Sequence, residues 1–341
     1  MRVYNLVRMA TRTLAYHALR KRCPVNVMLA VTNRCNARCH YCQIPSRTAD
    51  DIPLDRVLGM IDEMAEVGTV RLGLWGGEPL MRDDIGTIIR HAKSKGFYVT
   101  IDSNGLLWKE RHGDLGGLDH VVFAVDGDEE AHEANRGAGT YARVREALDI
   151  AVGTEGLSVW TLTVLTKNNL HCIDTMIETA QQLGIHCAFQ VLHHNDALGR
   201  NHDTLIPSNK EYREAVRHLI LRKKEGAPIA SSFRYLKYLL SWPDYQQPTL
   251  EGQHEGLSCK AGSLYCNVDA DGSVYACSLL IGTVPAQNAL EVGFRKAFDE
   301  IPPSPCQACS ATCFTEYNYI YALDPLCIAE WMKTTCRWPG R

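Results

Sequence analysis

From residue 26 to about 192, short β-branched runs alternate with stretches of helical period. The runs are NVMLAVT (26–32), VRLGLW (70–75), YVTIDS (98–103), HVVFAVD (120–126), SVWTLTVL (158–165) and HCAFQVL (186–192). Amphipathic segments separate them, among them LDRVLGMIDEMAEVG (54–68), DDIGTIIRHAKSKG (83–96) and IDTMIETAQQLG (173–184). Strands and helices alternating at this spacing predict parallel βαβ units joined by right-handed crossovers.

Six such units define an α/β fold, read as a partial TIM-like (β/α)6 barrel, with an open doubly wound sheet as the alternative closure. Either arrangement gathers function at the C-terminal ends of the strands. After residue 205 the pattern changes. A long helix is predicted over about 208–225, then a linker-like stretch (241–256), then a cysteine-rich segment with little helical period beyond ALEVGFRKAFDEI (289–301). The division expected is therefore an N-terminal helix (1–22), the alternating core (23–205), a helical linker (206–256) and a small appendage (257–341) whose core is partly metal.

In the N-terminal helix Val3, Leu6, Val7, Ala10 and Leu14 share one face, opposite Arg2, Arg8, Arg12 and Arg20, and no acidic residue precedes Asp50. The favoured reading is a helix that caps the barrel with its basic side solvated. A peripheral contact of residues 2–20 with an anionic membrane is the alternative.

Apolar residues make up 45% and charged residues 22% of the 341, and the formal charge is -3. That balance gives no reason to expect a nucleic-acid partner. No run approaches eighteen apolar residues, and no secretory signal precedes the core, so a cytoplasmic chain with reduced thiols is expected. Cysteine changes the picture. Of fourteen, three lie at Cys35, Cys39 and Cys42 and eight between Cys259 and Cys336. Thiols clustered at short spacing in a long chain without a signal read as metal ligands rather than disulfides. Cys172 and Cys187 read as small buried hydrophobes.

Three thiolates leave one iron of a cubane cluster open, whereas tetrahedral zinc needs a fourth ligand, and the chain offers no partner pair at zinc-finger spacing. The spacing C-x3-C-x2-C just after the first strand, with Tyr41 before the last cysteine, is similar to the cluster loop of the radical S-adenosylmethionine (SAM) superfamily. The resemblance implies that Cys35, Cys39 and Cys42 hold a [4Fe–4S] cluster. Its open iron would chelate SAM, and one electron would release a 5′-deoxyadenosyl radical that abstracts hydrogen from substrate. The electron would come from a reductase or a flavodoxin- or ferredoxin-type donor.

Further segments carry the same resemblance. Gly76-Gly77-Glu78-Pro79 ends the second strand, where paired glycines allow close backbone approach and a carboxylate accepts bonds from an ammonium. In the family this stretch meets the methionine amino group. Ser103 and Asn104 in DSNG (102–105) resemble the segment lining the same cavity. FAVDG and HEANRG (123–137) supply Asp126 and Arg136, the latter implied to pair with the cofactor carboxylate. A solvated arginine is the competing reading. Ala124 stands where relatives often carry serine, so that hydroxyl contact is lost or supplied elsewhere, with Ser103 a candidate.

The C-terminal segment fits C-x12-G-x4-C over Cys259 to Cys277, resembling the SPASM or Twitch extensions of many radical SAM enzymes. VDADGSVYAC reads as a hairpin that sets Cys259 and Cys277 side by side. The match lapses after Cys309. Eight cysteines (Cys259, Cys266, Cys277, Cys306, Cys309, Cys313, Cys327 and Cys336) suffice for two auxiliary [4Fe–4S] clusters, the arrangement leaned towards. In the alternative, Cys259, Cys277, Cys306 and Cys309 hold one.

The function expected is hydrogen-atom abstraction from a small-molecule or lipid-precursor substrate, with Glu316, His193 or His194 as base. The alternative is a peptide- or protein-modifying maturase. With 34 residues ahead of Cys35, a fused leader-binding domain is not expected. A non-catalytic iron–sulfur electron carrier is the third reading.

Overall fold

A computed structural model describes residues 1, 3–47 and 50–335. Cys336 and Arg2 lie outside them. Six strands, β1 (Asn26–Thr32), β2 (Arg71–Gly76), β3 (Tyr98–Ser103), β4 (His120–Ala124), β5 (Ser158–Leu165) and β6 (His186–Val191), pair in parallel in chain order. Shorter strands follow: β7 (Thr249–Leu250), β8 (Tyr265–Val268), β9 (Ser273–Tyr275), β10 (Gln287–Asn288) and β11 (Ala308–Cys309). The main sheet runs β10-β9-β8-β1-β2-β3-β4-β5-β6. Its ends do not pair, so the sheet is a partial TIM-like barrel that stays open.

The helices are α1 (Val3–Leu19), α2 (Leu54–Val67), α3 (Ile85–Ser94), α4 (Trp108–Arg111), α5 (Glu129–Arg136), α6 (Thr140–Val152), α7 (Ile173–Leu183), α8 (His202–Leu205), α9 (Asn209–Lys224), α10 (Phe233–Leu240), α11 (Ala289–Val292), α12 (Phe294–Asp299), α13 (Thr312–Tyr321) and α14 (Pro325–Thr335). The amphipathic α2, α3 and α7 bury their apolar stripes, as Val57, Ile61 and Met64 of α2 do. Along each core strand, alternate residues face those helices, for example Leu72 and Leu74 of β2. The remaining positions line the barrel interior. Ser208 and Glu211 form a capping box that starts the long helix α9 where the sequence places it.

The extension departs from a separate appendage. Its predicted hairpin forms as β8 and β9, but β8 also pairs in parallel with β1, from Asn26 opposite Tyr265 to Leu29 opposite Val268. Main-chain bonding thus carries the barrel sheet into the cysteine-rich segment. The stretch 241–256 is likewise no loose linker. Trp242 and Tyr245 are buried, and β7 pairs with β11. The predicted helix over 289–301 breaks at Gly293, where φ is +83°. There Glu63 of α2 accepts the Phe294 N–H at 2.6 Å and so starts α12. Helices α13 and α14 escaped the sequence reading because cysteines and tyrosines interrupt their apolar period.

α1 packs on the barrel through Asn5, Met9 and Thr13 rather than through its apolar stripe. Asn5 Nδ2 and Arg8 Nη1 donate to Gly96 O at 3.0 and 3.2 Å, and Arg8 Nη2 to Thr69 O at 3.0 Å. The capping position is as expected, but Arg8 is bonded rather than solvated. Val3, Val7 and Leu14 of the predicted apolar face are exposed. No described helix is long and apolar enough to cross a membrane.

Cys266 lies on β8 in the hydrophobic core, fully buried, where it feels Cys23 and no member of the C-terminal set. Cys266→Ala is expected to lower the unfolding free energy by about 1–2 kcal/mol, measured by denaturant titration.

Candidate active site

The loop after β1 carries Cys35, Cys39 and Cys42, packed with Ala37, Tyr41 and Leu106 in a small cluster of its own. The end of β2 runs hard against it. Gly77 N donates to Thr32 O and Glu78 N to Arg34 O, both at 2.8 Å. A Cβ on Gly76 (φ +130°) would stand 2.3 Å from Thr32 O, and one on Gly77 2.2 Å from Arg34 O. The paired glycines are therefore required by the cluster loop's own backbone.

Glu78 is fully buried. Its carboxylate accepts Ser103 Oγ at 2.9 Å, Leu80 N at 3.1 Å and Asn104 N at 2.7 Å, tying the ends of β2 and β3 together. Burial nevertheless pushes its carboxyl up to about 7. Pro79 opens the single helical turn Pro79–Met81 that turns the chain away. Asn104 Nδ2 reaches Cys35 Sγ at 3.6 Å. The Ser103 hydroxyl donates to Glu78 and accepts from Gly105 N.

At the end of β4 the Asp126 carboxylate is a hub. Its Oδ2 accepts Tyr41 Oη and Arg136 Nε, each at 2.7 Å, and its Oδ1 accepts Val164 N at 3.0 Å. Arg136 is buried, lies over the Tyr41 ring at 5.6 Å and directs Nη1 to Cys39 Sγ at 3.8 Å. It is buried beside the thiol loop and not a solvated residue. Asp126 N donates to His132 Nδ1 at 3.1 Å, and burial together with Arg136 lowers His132 to about 4, so that imidazole is neutral.

The segment after β6 closes over the loop from the far side. Arg200 Nη2 donates to Cys39 O at 3.0 Å, Arg200 N to Tyr41 O at 3.1 Å, and Gln43 binds Asp196 O. Asn195 ties this segment to the extension through Leu279 O at 3.0 Å. His193 beside it is half-buried, its Nε2 has no partner among the described residues, and burial lowers it to about 4. His194 is exposed and pairs with Asp196 at 2.8 Å. Glu316 is bonded within the C-terminal half of the chain. Its oxygens take Ser232 N at 2.6 Å and Cys327 Sγ at 3.3 Å, within the layer of α10, α13 and α14.

Four of the C-terminal thiols come together. Cys277 is held up by burial and by its neighbours Cys309, Cys259 and Cys306. Cys266 and Cys327 stand apart from these four, while Cys313 lies near Cys309 but also faces other groups. Cys266 is in the core, Cys313 beside Asp102 and Arg71, and Cys327 on Glu316. Among the described residues only Asp128, His171 and Cys172 bring three metal-ligating atoms within 4.8 Å of one another. Ligands of one tetrahedral zinc stand roughly 3.8 Å apart. Among the described residues neither cysteine set is drawn in that closely for a single ion.

A three-thiol loop at the C-terminal mouth of an open parallel barrel, ringed by Glu78, Asn104, Asp126 and Arg136, defines an iron–sulfur enzyme with a ligand-binding mouth. The Radical SAM superfamily profile matches residues 29–180. A PqqA peptide cyclase from Streptomyces rochei is 30% identical over 296 residues, 82% of this chain and 75% of that protein. The chain belongs to the radical SAM superfamily, whose members carry a [4Fe–4S] cluster and use SAM. Among solved structures, SuiB of Streptococcus suis bound to SAM superposes with a TM-score of 0.67 at 15% identity, covering 86% of this chain and 70% of that one. The enzyme anSMEcpe with bound SAM superposes at 0.61, also at 15% identity, covering 90% and 98%. At that identity the likeness is one of fold.

Asp126→Ala strands the buried Arg136 charge and is expected to cost about 3–5 kcal/mol. Gly77→Ala forces apart two backbones and is expected to cost about 3 kcal/mol. Both variants should lose iron bound at the Cys35 loop, read by unfolding titration and iron content of the reconstituted protein.

Proposed function

We propose that this radical SAM enzyme modifies a peptide. The observation that carries the reading is the 30% identity to a PqqA peptide cyclase across 82% of the chain, a span that takes in the extension as well as the core. SuiB, which shares the fold, has also been solved with its precursor peptide SuiA. A peptide substrate takes the place of the small-molecule or lipid-precursor substrate expected from sequence.

When bound, the cluster and SAM supply a carbon radical able to take hydrogen from an unactivated C–H bond. This chain's residues prepare the place for it. Cys35, Cys39 and Cys42 offer three thiols. Asn104 and Arg136 direct N–H groups at two of them, which favours thiolate ligation. Arg136 and the Gly76–Pro79 backbone face the mouth where the carboxylate and ammonium of SAM belong. We further assign one auxiliary cluster to Cys259, Cys277, Cys306 and Cys309, because Cys277 has the other three for neighbours, whereas Cys266 is in the core, Cys327 bonds Glu316 and Cys313, though near Cys309, faces Asp102 and Arg71. Electrons enter from a flavodoxin- or ferredoxin-type donor or a reductase.

The test is anaerobic reconstitution with SAM and dithionite, adding either a pool of short synthetic peptides or a panel of aminoglycosides, and following 5′-deoxyadenosine and mass-shifted product. Peptides are expected to stimulate cofactor cleavage and to be modified, and a Cys35/Cys39/Cys42→Ala variant to do neither. Stimulation by aminoglycosides alone overturns the peptide reading. The wild type should hold roughly eight irons per chain, Cys277→Ala or Cys309→Ala roughly four, and Cys327→Ala the full complement.

A further inference from the structure

Strand alternation turns Asp102 of β3 into the barrel interior. It is open to that space while its neighbours Ile101 and Ser103 are buried in the wall. In register it lies level with Val122, Trp160 and His186 of β4, β5 and β6. Two residues further along β3, Asn104 touches Cys35, so Asp102 stands about 7 Å of strand below the cluster loop.

Helix α13 crosses the interior from the other side. Thr312 Oγ1 donates to Phe189 O of β6 at 3.0 Å, the Tyr317 ring lies 5.5 Å from the Arg71 guanidinium on β2, and Asn318 Oδ1 accepts Tyr265 Oη of β8 at 3.1 Å. Its first turn carries Cys313, the one exposed thiol among the described residues, four positions after Cys309 of the auxiliary set. Cys313 feels the charges of both Asp102 and Arg71. The chamber thus lies between the two cysteine sets.

We infer that Asp102 is a catalytic residue, the acceptor of the proton that a peptide residue loses after its C–H bond is attacked, in a chamber completed by Arg71 and Cys313. The inference rests on the peptide-modifying radical reaction proposed above. Loss of a hydrogen atom leaves a carbon radical. Forming a double bond or a new bond to a neighbouring atom from it releases one proton and one electron. The proton passes to an Asp102 oxygen, and the electron to a one-electron acceptor of the iron–sulfur class. Asp102 suits the task because it makes no hydrogen bond among the described residues, and desolvation raises its carboxyl to about 6, against the pull of Arg71.

Two measurements test this. In the reconstituted protein, N-ethylmaleimide is expected to label Cys313 before the buried Cys23, Cys172, Cys187, Cys266 and Cys327, mapped by mass spectrometry with Cys313→Ala as control. Asp102→Asn removes a negative charge facing that thiol and should speed labelling severalfold, whereas Arg71→Met should slow it. An unchanged rate in Asp102→Asn overturns the shared chamber. With the peptide pool, Asp102→Asn should keep forming 5′-deoxyadenosine while modified peptide per 5′-deoxyadenosine falls about 10²-fold, and Asp102→Glu should recover part of the yield. An unchanged ratio, or equal loss of both products, overturns Asp102 as base. A wild type that cleaves SAM yet modifies no peptide overturns the peptide reading instead.

Discussion

Between the end of β2 and the loop that bears Cys35, Cys39 and Cys42 there is space for backbone and nothing more. Two main-chain hydrogen bonds join Gly77 and Glu78 to Thr32 and Arg34 there, and a Cβ on either glycine would sit inside a carbonyl oxygen. This contact sets the height of the three thiols above the barrel. It also aims Glu78 into the wall, where its carboxylate gathers Ser103, Leu80 and Asn104. Asn104 in turn touches Cys35. Three strand ends, those of β1, β2 and β3, are thereby held in one arrangement around the loop.

The charges of the site are bound to one another rather than left to water. Asp126 carries Tyr41, Arg136 and the backbone of β5, and Arg136 spans Tyr41 and Cys39. Inside a protein such pairs are worth keeping only when every lone pair and proton is used, since an unpaired buried charge costs several kcal/mol. The consequence is a mouth already shaped for an anionic and cationic ligand. A partner losing its place, such as Asp126, disturbs the thiol loop as well as the ligand site.

The extension serves the barrel by continuing it. Because β8 pairs with β1, the hairpin that brings Cys259 and Cys277 together is a rim of the same sheet, and α13 crosses the interior beneath the cluster loop. Radical chemistry needs a substrate walled off from solvent between its oxidised and reduced partners. The space bounded by Asp102, Arg71 and Cys313, which we propose for that purpose, is built by residues from three separate parts of the chain.

Much was legible in the one-dimensional pattern. β1, β3 and β5 begin and end where the β-branched runs do, because strands buried on their outer face must be apolar at alternate positions and their ends are marked by turn residues. Cys35, Cys39 and Cys42 stand out by their spacing, and the glycine pair and Asp126 by motifs that resemble the family's at predicted strand ends. Other features depended on which segments meet. Arg136 reads equally as a surface helix residue until Asp126 is seen beneath it. Glu316 looks like a base in an acidic, aromatic stretch, but helix packing turns it to Ser232 and Cys327. Cys266, Cys313 and Cys327 cannot be sorted from the auxiliary ligands by spacing, because a residue's side of a strand or helix is set by its pairing partner. Asp102 left one faint sign, a charge inside an apolar strand, and only the barrel's inward face gives that charge a role. The strands and helices of the core follow from local periodicity in the chain, and the chemistry expected of the thiol loop from its motif's resemblance to the radical SAM family. The tertiary structure alone decided which distant side chains share a space, because that depends on strand register and helix crossing, which no local pattern encodes.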